Sequence, residues 1–327
     1  MKRGTVAIFV PNAGCAHRCS FCDQKAITSV KALPTAESIK ETLAGVSGEG
    51  YEIAFFGGSF TAVPRAYMLE LLTAAQLFLD GKKFTRIRIS TRPDAIDTEV
   101  LGILKEYRVG VIELGAQSTD DEVLKANLRG HNARDIFKSA EKIKQSGFEL
   151  GLQMMTGLYR SDAQKDLKTA DDLLAANSDC MRVYPTAVFA NTLLEKLWKS
   201  GEYDPQTVDE AVEVCVQIFE KALYKNIPII RMGLHADFAP EANPLAGAFH
   251  PAFGELVIGE YFYRNLLKTL EKRPAMRYNV FIARGMHSAA AGQHRKNLLR
   301  LAQLGYNVIF TEVDGLPRYD FMVEGIS

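Results

Sequence analysis

Three cysteines stand close together near the start of the chain, in the segment Cys15-Ala16-His17-Arg18-Cys19-Ser20-Phe21-Cys22. The spacing, C-x3-C-x2-C, presents three thiolates from one short loop. A structural zinc site takes four ligands, commonly as two separated pairs, so zinc here requires His17 or a distant residue as the fourth. A 4Fe–4S cluster is held by thiolates, and three of them leave one iron with open coordination. An open iron can chelate a small molecule, which is what a cluster needs in order to take part in catalysis. Three free thiols gathered without a metal are the remaining alternative. Cys180 and Cys215 stand alone. Five cysteines clustered in this way do not make a disulfide framework, and the isolated pair is expected as buried, inert thiols.

The cysteine segment directly follows an apolar run at 6–10, the first of a series of short strand patterns. Others lie at 53–56, 86–90, 109–114, 149–155 and 181–184. Amphipathic stretches with helical spacing separate them, at 35–43, 67–79, 97–107, 120–128, 133–146 and 162–177. Strands alternating with helices predict βαβ units and a parallel sheet. Right-handed crossovers place the C-terminal ends of all such strands on one face, where α/β barrels carry their chemistry. Two helical stretches (192–200 and 207–225) and a strand at 227–232 follow. After Gly233 the rhythm breaks into an Ala-, Pro-, Gly- and His-rich stretch. A helix at 256–270, a strand at 279–283, a helix at 293–304 and a strand at 307–311 finish the pattern. The expected fold class is α/β: a partial (β/α)6 TIM-like barrel over residues 1–235, with a small α/β extension over 236–327.

Composition agrees with a folded chain. There are 327 residues, 47% hydrophobic and 24% charged, with 39 Lys+Arg against 39 Asp+Glu. That excludes collagen-like and disordered classes, and no apolar run approaches the roughly 20 residues that cross a bilayer. The N-terminal apolar run ends at Pro11, too early for a secretory segment, so the expected compartment is the cytoplasm and no membrane partner is expected. Neutral overall charge argues against a globally basic nucleic-acid coat. Locally the balance differs: between Lys272 and Arg300 there are seven bases and no Asp or Glu. Such a run can meet phosphates or form a solvated basic face.

The cysteine spacing, with an aromatic residue before the last cysteine, resembles the signature of the radical S-adenosylmethionine (SAM) superfamily. The resemblance extends along the chain in order. It includes Phe55-Phe56-Gly57-Gly58-Ser59-Phe60-Thr61, Ser90-Thr91-Arg92-Pro93-Asp94 and Glu113-Leu114-Gly115-Ala116-Gln117-Ser118. Arg129-Gly130-His131, Met154-Met155-Thr156-Gly157-Leu158 and Arg182-Val183-Tyr184-Pro185-Thr186 come after them. The series resembles the radical-SAM half of the Elongator catalytic subunit and its shorter bacterial relatives, over roughly residues 5–232. Oxygen-independent coproporphyrinogen oxidase shares the motif spacing.

The resemblance implies that Cys15, Cys19 and Cys22 hold a 4Fe–4S cluster whose fourth iron binds SAM. It implies reductive cleavage to a 5′-deoxyadenosyl radical that abstracts a hydrogen atom. Gly57, Gly58 and Ser59 correspond to a glycine motif at the amino group of SAM. Gln117 corresponds to a contact near the ribose or methionyl end, Arg129 to a further cofactor contact, and Gln153 to a residue near the adenosine. Ser90 departs from a Glu that usually faces the ribose, and Tyr159 from a Pro. The implied partners are a reductant such as ferredoxin or flavodoxin and an RNA substrate, tRNA foremost. Alternatives are an oxidoreductase acting on a small molecule such as a porphyrinogen, and a non-catalytic cluster- or RNA-binding factor. The residues after 236 number too few for Elongator's acetyltransferase domain, and no acetyl-CoA loop is present among them. His17 is expected to tune or shield the cluster. His235, Asp237 and His250 are candidates for facing the barrel mouth. The sequence leaves the oligomeric state open.

Overall fold

The computed structural model describes residues 4–11, 14–15, 18–22, 32–234, 243–274 and 276–326. The first half of the chain alternates strand and helix: β1 (Gly4–Val10), α1 (Ala36–Ala44), β2 (Tyr51–Gly57), α2 (Arg65–Gln76), β3 (Phe84–Thr91) and α3 (Thr98–Glu106). Then come β4 (Val109–Gln117), α4 (Asp121–Ala126), α5 (Ala133–Gln145), β5 (Glu149–Thr156), α6 (Ala163–Ala175) and β6 (Cys180–Pro185). Most of these helices begin where the sequence supplies a cap. Asp97, Asp120 and Asp162 each accept a backbone N–H of the first turn. Thr35 with Ser38 and Asn132 with Asp135 close reciprocal capping boxes.

A short β7 (Ala187–Val188), helices α7 (Leu193–Lys199) and α8 (Val208–Tyr224), and β8 (Ile229–Met232) complete the first unit. Seven strands pair in the order β1-β2-β3-β4-β5-β6-β8, all parallel. β1 and β8 do not pair, so the sheet curls into an open half-barrel, the partial TIM-like barrel expected, with β8 as its seventh strand. Its outer face is apolar. Ile53, Ile87, Ile112, Leu150 and Met181 are fully buried under the helices, each contributing about 2 kcal/mol of hydrophobic burial.

The remainder contains β9 (Ala246–Gly247), α9 (Phe253–Leu270), β10 (Arg277–Ala283), α10 (His287–Ala291), α11 (Lys296–Gln303), β11 (Asn307–Val313) and β12 (Phe321–Ile326). β10 is the centre of a three-stranded sheet, parallel to β11 and antiparallel to β12. α9 begins three residues before its expected start, and α10 and β12 are elements that the sequence reading lacked. α9 serves two cores: Phe253 and Val257 pack with the half-barrel, while Phe262, Leu266 and Leu270 pack against the small sheet. The division expected between 235 and 236 falls outside the described residues. No helix among the described residues is long and apolar enough to cross a membrane.

Candidate active site

Successive strand residues point to opposite faces, so the neighbours of the apolar outer residues face the lumen. There they line a cavity of about 1570 Å3. All nine residues that the resemblance assigns to the cluster and SAM reach it: Cys15, Cys19, Cys22, Gly57, Gly58, Ser59, Gln117, Arg129 and Gln153.

The cysteine segment lies on the glycine loop. Gly58 N–H donates to the Val10 carbonyl (2.8 Å), tying the end of β1 to the turn after β2. Gly57 has φ +109°, and a Cβ there would sit 3.1 Å from the Val10 carbonyl oxygen. Gly14 is more constrained. Its φ is +72°, and a Cβ would lie 2.3 Å from the Ser59 carbonyl oxygen and 2.7 Å from the Val63 nitrogen. Only glycine permits this approach of two backbones. Phe60, stacked on Phe55 with centroids 4.5 Å apart, anchors the glycine loop in the core. Such a pair adds about 1 kcal/mol beyond its burial. Arg92, paired with Asp94 at 2.9 Å, also donates to the Gly14 carbonyl (3.4 Å), which gives the Ser-Thr-Arg-Pro-Asp motif a bracing role.

Further along the loop, Ser20 donates its hydroxyl to Asn127 Oδ1 (2.6 Å), and its carbonyl accepts the Leu194 N–H (2.8 Å). Arg18 donates to the Asn191 carbonyl at 3.0 Å. The thiols have polar neighbours: Cys15 Sγ lies 3.7 Å from Ser59 Oγ, and Arg129 Nη1 donates to Cys19 Sγ at 3.0 Å. Arg129 is held by a second bond to the Gly115 carbonyl (2.6 Å). Among the described residues no three His, Cys, Asp or Glu side chains converge on a point as a single-ion cage requires. Thiolates that serve different irons of a cubane have no need to converge.

Gln117 closes β4 in left-handed backbone, φ +68°, after a bulge at Gly115. Its Oε1 is buried without a hydrogen bond, as are Arg129 Nε and His131 Nδ1. Burial and the charge of Arg129 push the His131 pKa down to about 4. Strained backbone with an orphaned acceptor on a cavity wall is a pattern of ligand-binding positions. Gln153 and Ser90 line the same cavity from mid-strand.

The lumen also holds charges that the sequence reading did not assign. Arg86, Glu52, Arg88, Glu113 and Arg182 form an alternating chain across β3, β2, β4 and β6, and exposed Glu149 of β5 pairs with Arg86 at its end. Arg88 bridges Glu52 at 2.8 Å and Glu113 at 2.6 Å, and Arg182 grips Glu113 with bonds of 2.7 and 3.0 Å. Burial alone would raise the Glu52 pKa, but bonds and charge from Arg88 and Arg86 hold it below the ordinary value. Burial raises the pKa of Tyr184 beside Arg182. The signal was in the sequence: a parallel strand buried on both faces is continuously apolar, whereas Arg86-Ile87-Arg88-Ile89-Ser90 alternates.

His250 is absent from the lining of the cavity, and its Nδ1 accepts the Ala252 N–H at 3.1 Å. His17, His235 and Asp237 lie outside the described residues. Cys180 and Cys215 are buried, and burial pushes the Cys215 thiol up to about 12.

A model of the radical SAM superfamily matches residues 9–173, and a model of the radical SAM C-terminal domain matches 178–263. An uncharacterized protein of Methanocaldococcus jannaschii is 28% identical over 216 residues, 64% of this chain and 63% of its own length. The tRNA uridine(34) acetyltransferase of Methanocaldococcus infernus is 32% identical over 129 residues, 38% of this chain and 24% of its own. Elongator complex protein 3 of Homo sapiens is 28% identical over 194 residues, 53% and 36% respectively. The chain thus spans less than two thirds of each of these relatives. Among solved structures, Methanocaldococcus infernus Elp3 with an N-terminal deletion shares the fold at a TM-score of 0.63 and 21% identity, over 85% of this chain and 66% of that one. Methylornithine synthase does so at 0.52 and 18%, over 82% of each chain. With half of its residues under the superfamily's own model, this chain belongs to the radical SAM superfamily and is an enzyme of that class.

Proposed function

We propose that this chain holds one 4Fe–4S cluster through Cys15, Cys19 and Cys22, binds SAM beside it, and acts on a substrate seated in the lumen. Membership of the superfamily implies both groups and a reductant, for which ferredoxin or flavodoxin is proposed. The observation that carries the residue assignment is that one cavity collects the three cysteines with Gly57, Gly58, Ser59, Gln117, Arg129 and Gln153. The residues present fit the cofactors. Gln117 Oε1 and Arg129 Nε are buried without a partner, each a cost of about 1–3 kcal/mol that a polar ligand would relieve. When bound, the two groups supply one-electron chemistry that ends in removal of a hydrogen atom from the substrate.

The chain's own residues do the rest. Gly57 and Gly58 bring backbone polar groups close to the ligand, and Gln117 and Gln153 orient it from neighbouring strands. Arg129 steadies Cys19, and the walls exclude water and competing reactions.

The proposed substrate is RNA, with tRNA foremost. Two relatives with tRNA or Elongator names support this, as does the basic run. Of its seven bases, Arg284 pairs with Asp314 and Arg300 with Glu260, while Lys272, Arg273, Arg277, Arg295 and Lys296 have no acidic partner among the described residues. A small anionic substrate is the second reading, favoured by the arginine-rich lumen.

Anaerobic reconstitution tests the core of the proposal. The wild-type chain should take up about four irons and release 5′-deoxyadenosine from SAM under dithionite, and Cys19→Ala should do neither. Stoichiometric zinc without iron would overturn it. Mass spectra of tRNA nucleosides from cells lacking the protein test the substrate, and an unchanged nucleoside profile would favour the small anion.

A further inference from the structure

At the open side of the half-barrel the cavity wall is made only in part by the sheet. α8, β8, the first turns of α9 and the segment between β11 and β12 supply it, through Phe219, Ile229, Ile258, Arg318 and Tyr319. Tyr319 fixes that segment in place, its ring edge-on to Phe219 with centroids 5.0 Å apart. The segment between β11 and β12 therefore lends two side chains to the chamber that holds the cysteines.

The charge of that chamber is one-sided. Among the described residues its lining contains eight arginines against three glutamates, and no lysine, aspartate or histidine. Most of the arginines have work within the protein. Arg86, Arg88 and Arg182 belong to the alternating chain, Arg92 is matched by Asp94, and Arg129 bonds Cys19. Arg318 is different. It is exposed and lines the cavity, no carboxylate lies within ion-pair distance among the described residues, and its guanidinium sits over the Tyr319 ring at 5.3 Å. A planar guanidinium backed by an aromatic ring presents a fork that matches carboxylate and phosphate oxygens. The cationic excess of a walled cavity draws anions toward it. Glu255, on the first turn of α9, is the one acid on this part of the wall.

We propose that Arg318 is the specificity-determining residue that grips an anionic group, phosphate or carboxylate, of the substrate in the lumen. The inference rests on the reading of the lumen as the substrate chamber. The anionic group can belong to RNA or to a free small molecule, and the structure provides a way to separate them. A second groove, of about 670 Å3, meets the chamber at Tyr319, which lines both. That groove carries Lys268, Lys272 and Arg273, with Asp320 as its only acid among the described residues. An RNA strand would run along these bases to reach Arg318, whereas a small anion would not touch them.

The test uses the full chain, iron-loaded and saturated with SAM, with three probes: inorganic phosphate, citrate and a single-stranded RNA oligonucleotide. Phenylglyoxal modifies accessible arginines, and peptide mass spectrometry reads each position. At least one probe is expected to slow modification of Arg318 about tenfold, the effect of one charge-assisted bond. Arg284, exposed and paired with Asp314, is the reference and should react at an unchanged rate. Arg318→Gln should weaken binding of that probe about tenfold while iron content and SAM binding stay at wild-type levels. Protection by phosphate or citrate that is indifferent to Lys272→Glu assigns a small anion. Protection by the oligonucleotide alone, weakened by Lys272→Glu and by salt, assigns RNA. If no probe protects Arg318, or Arg318→Gln binds every probe as the wild type does, the proposal is overturned while the cluster reading stands. A wild-type chain that holds no iron overturns that underlying reading instead.

Discussion

Gln117 and His131 illustrate how differently single residues declare themselves. The cysteine trio is legible because residue type and spacing are local properties of one short loop. Gln117 could be named from its motif, but its left-handed backbone and orphaned Oε1 depend on a bulge between β4 and β5. His131 is 8% exposed, its Nε2 3.4 Å from the Ala116 carbonyl, and its pKa stands at about 4 against 6.5 for the free group. The unfolded chain therefore takes up a proton first as pH falls. The stability this residue contributes is complete above about pH 6.5 and is lost progressively toward pH 4, on the order of 3 kcal/mol in all. Urea unfolding of the wild type and of His131→Gln at pH 7.5 and 4.5 should show a smaller loss in the variant. Equal losses would mean that burial of this imidazole does not govern acid stability.

At the scale of elements, the strands and helices of the half-barrel were legible to within a few residues. Hydrophobic period and caps such as Asp97 and Asp162 are encoded where they act. Contacts between loops were not. Gly14 precedes Cys15 without any motif to mark it, and its role comes from the Ser59 and Val63 backbones lying against it. Gly14→Ala adds a Cβ where no space exists and a left-handed φ that costs about 1–3 kcal/mol. The cysteine loop should be forced off the glycine loop. Iron per chain after reconstitution is expected to fall several-fold, while circular dichroism and the thermal transition of the iron-free protein change little. Full iron loading of Gly14→Ala would show that the two loops need not touch for cluster assembly. β12 and α10 escaped notice for a related reason. β12 is largely exposed and is defined by its pairing with β10, 39 to 49 positions earlier in the chain.

For the whole molecule, the junction of the half-barrel with the C-terminal sheet matters most. α9 contributes to both cores, and Tyr319 closes the contact by packing on Phe219, which also meets Tyr261 edge-on at 5.3 Å. Tyr319→Ala should lower stability by about 1–3 kcal/mol, the range for truncating a partly buried aromatic side chain. Hydrogen exchange should locate the loss, with faster exchange in β10, β11 and β12 than in β2 to β5. Uniform acceleration across both sheets would show that the contact does not act locally.

The sequence by itself determined the superfamily, the half-barrel and the three cysteines, because motif spacing and hydrophobic period are short-range properties. Tertiary structure alone decided which groups meet in the lumen. The alternating chain through Glu52, Arg88 and Glu113, the approach of Gly14 to Ser59, and the entry of Arg318 into the chamber each join residues far apart in sequence. A charge has no partner until the fold supplies one, and only the closed geometry of the molecule shows which charges are already satisfied and which are left for a ligand.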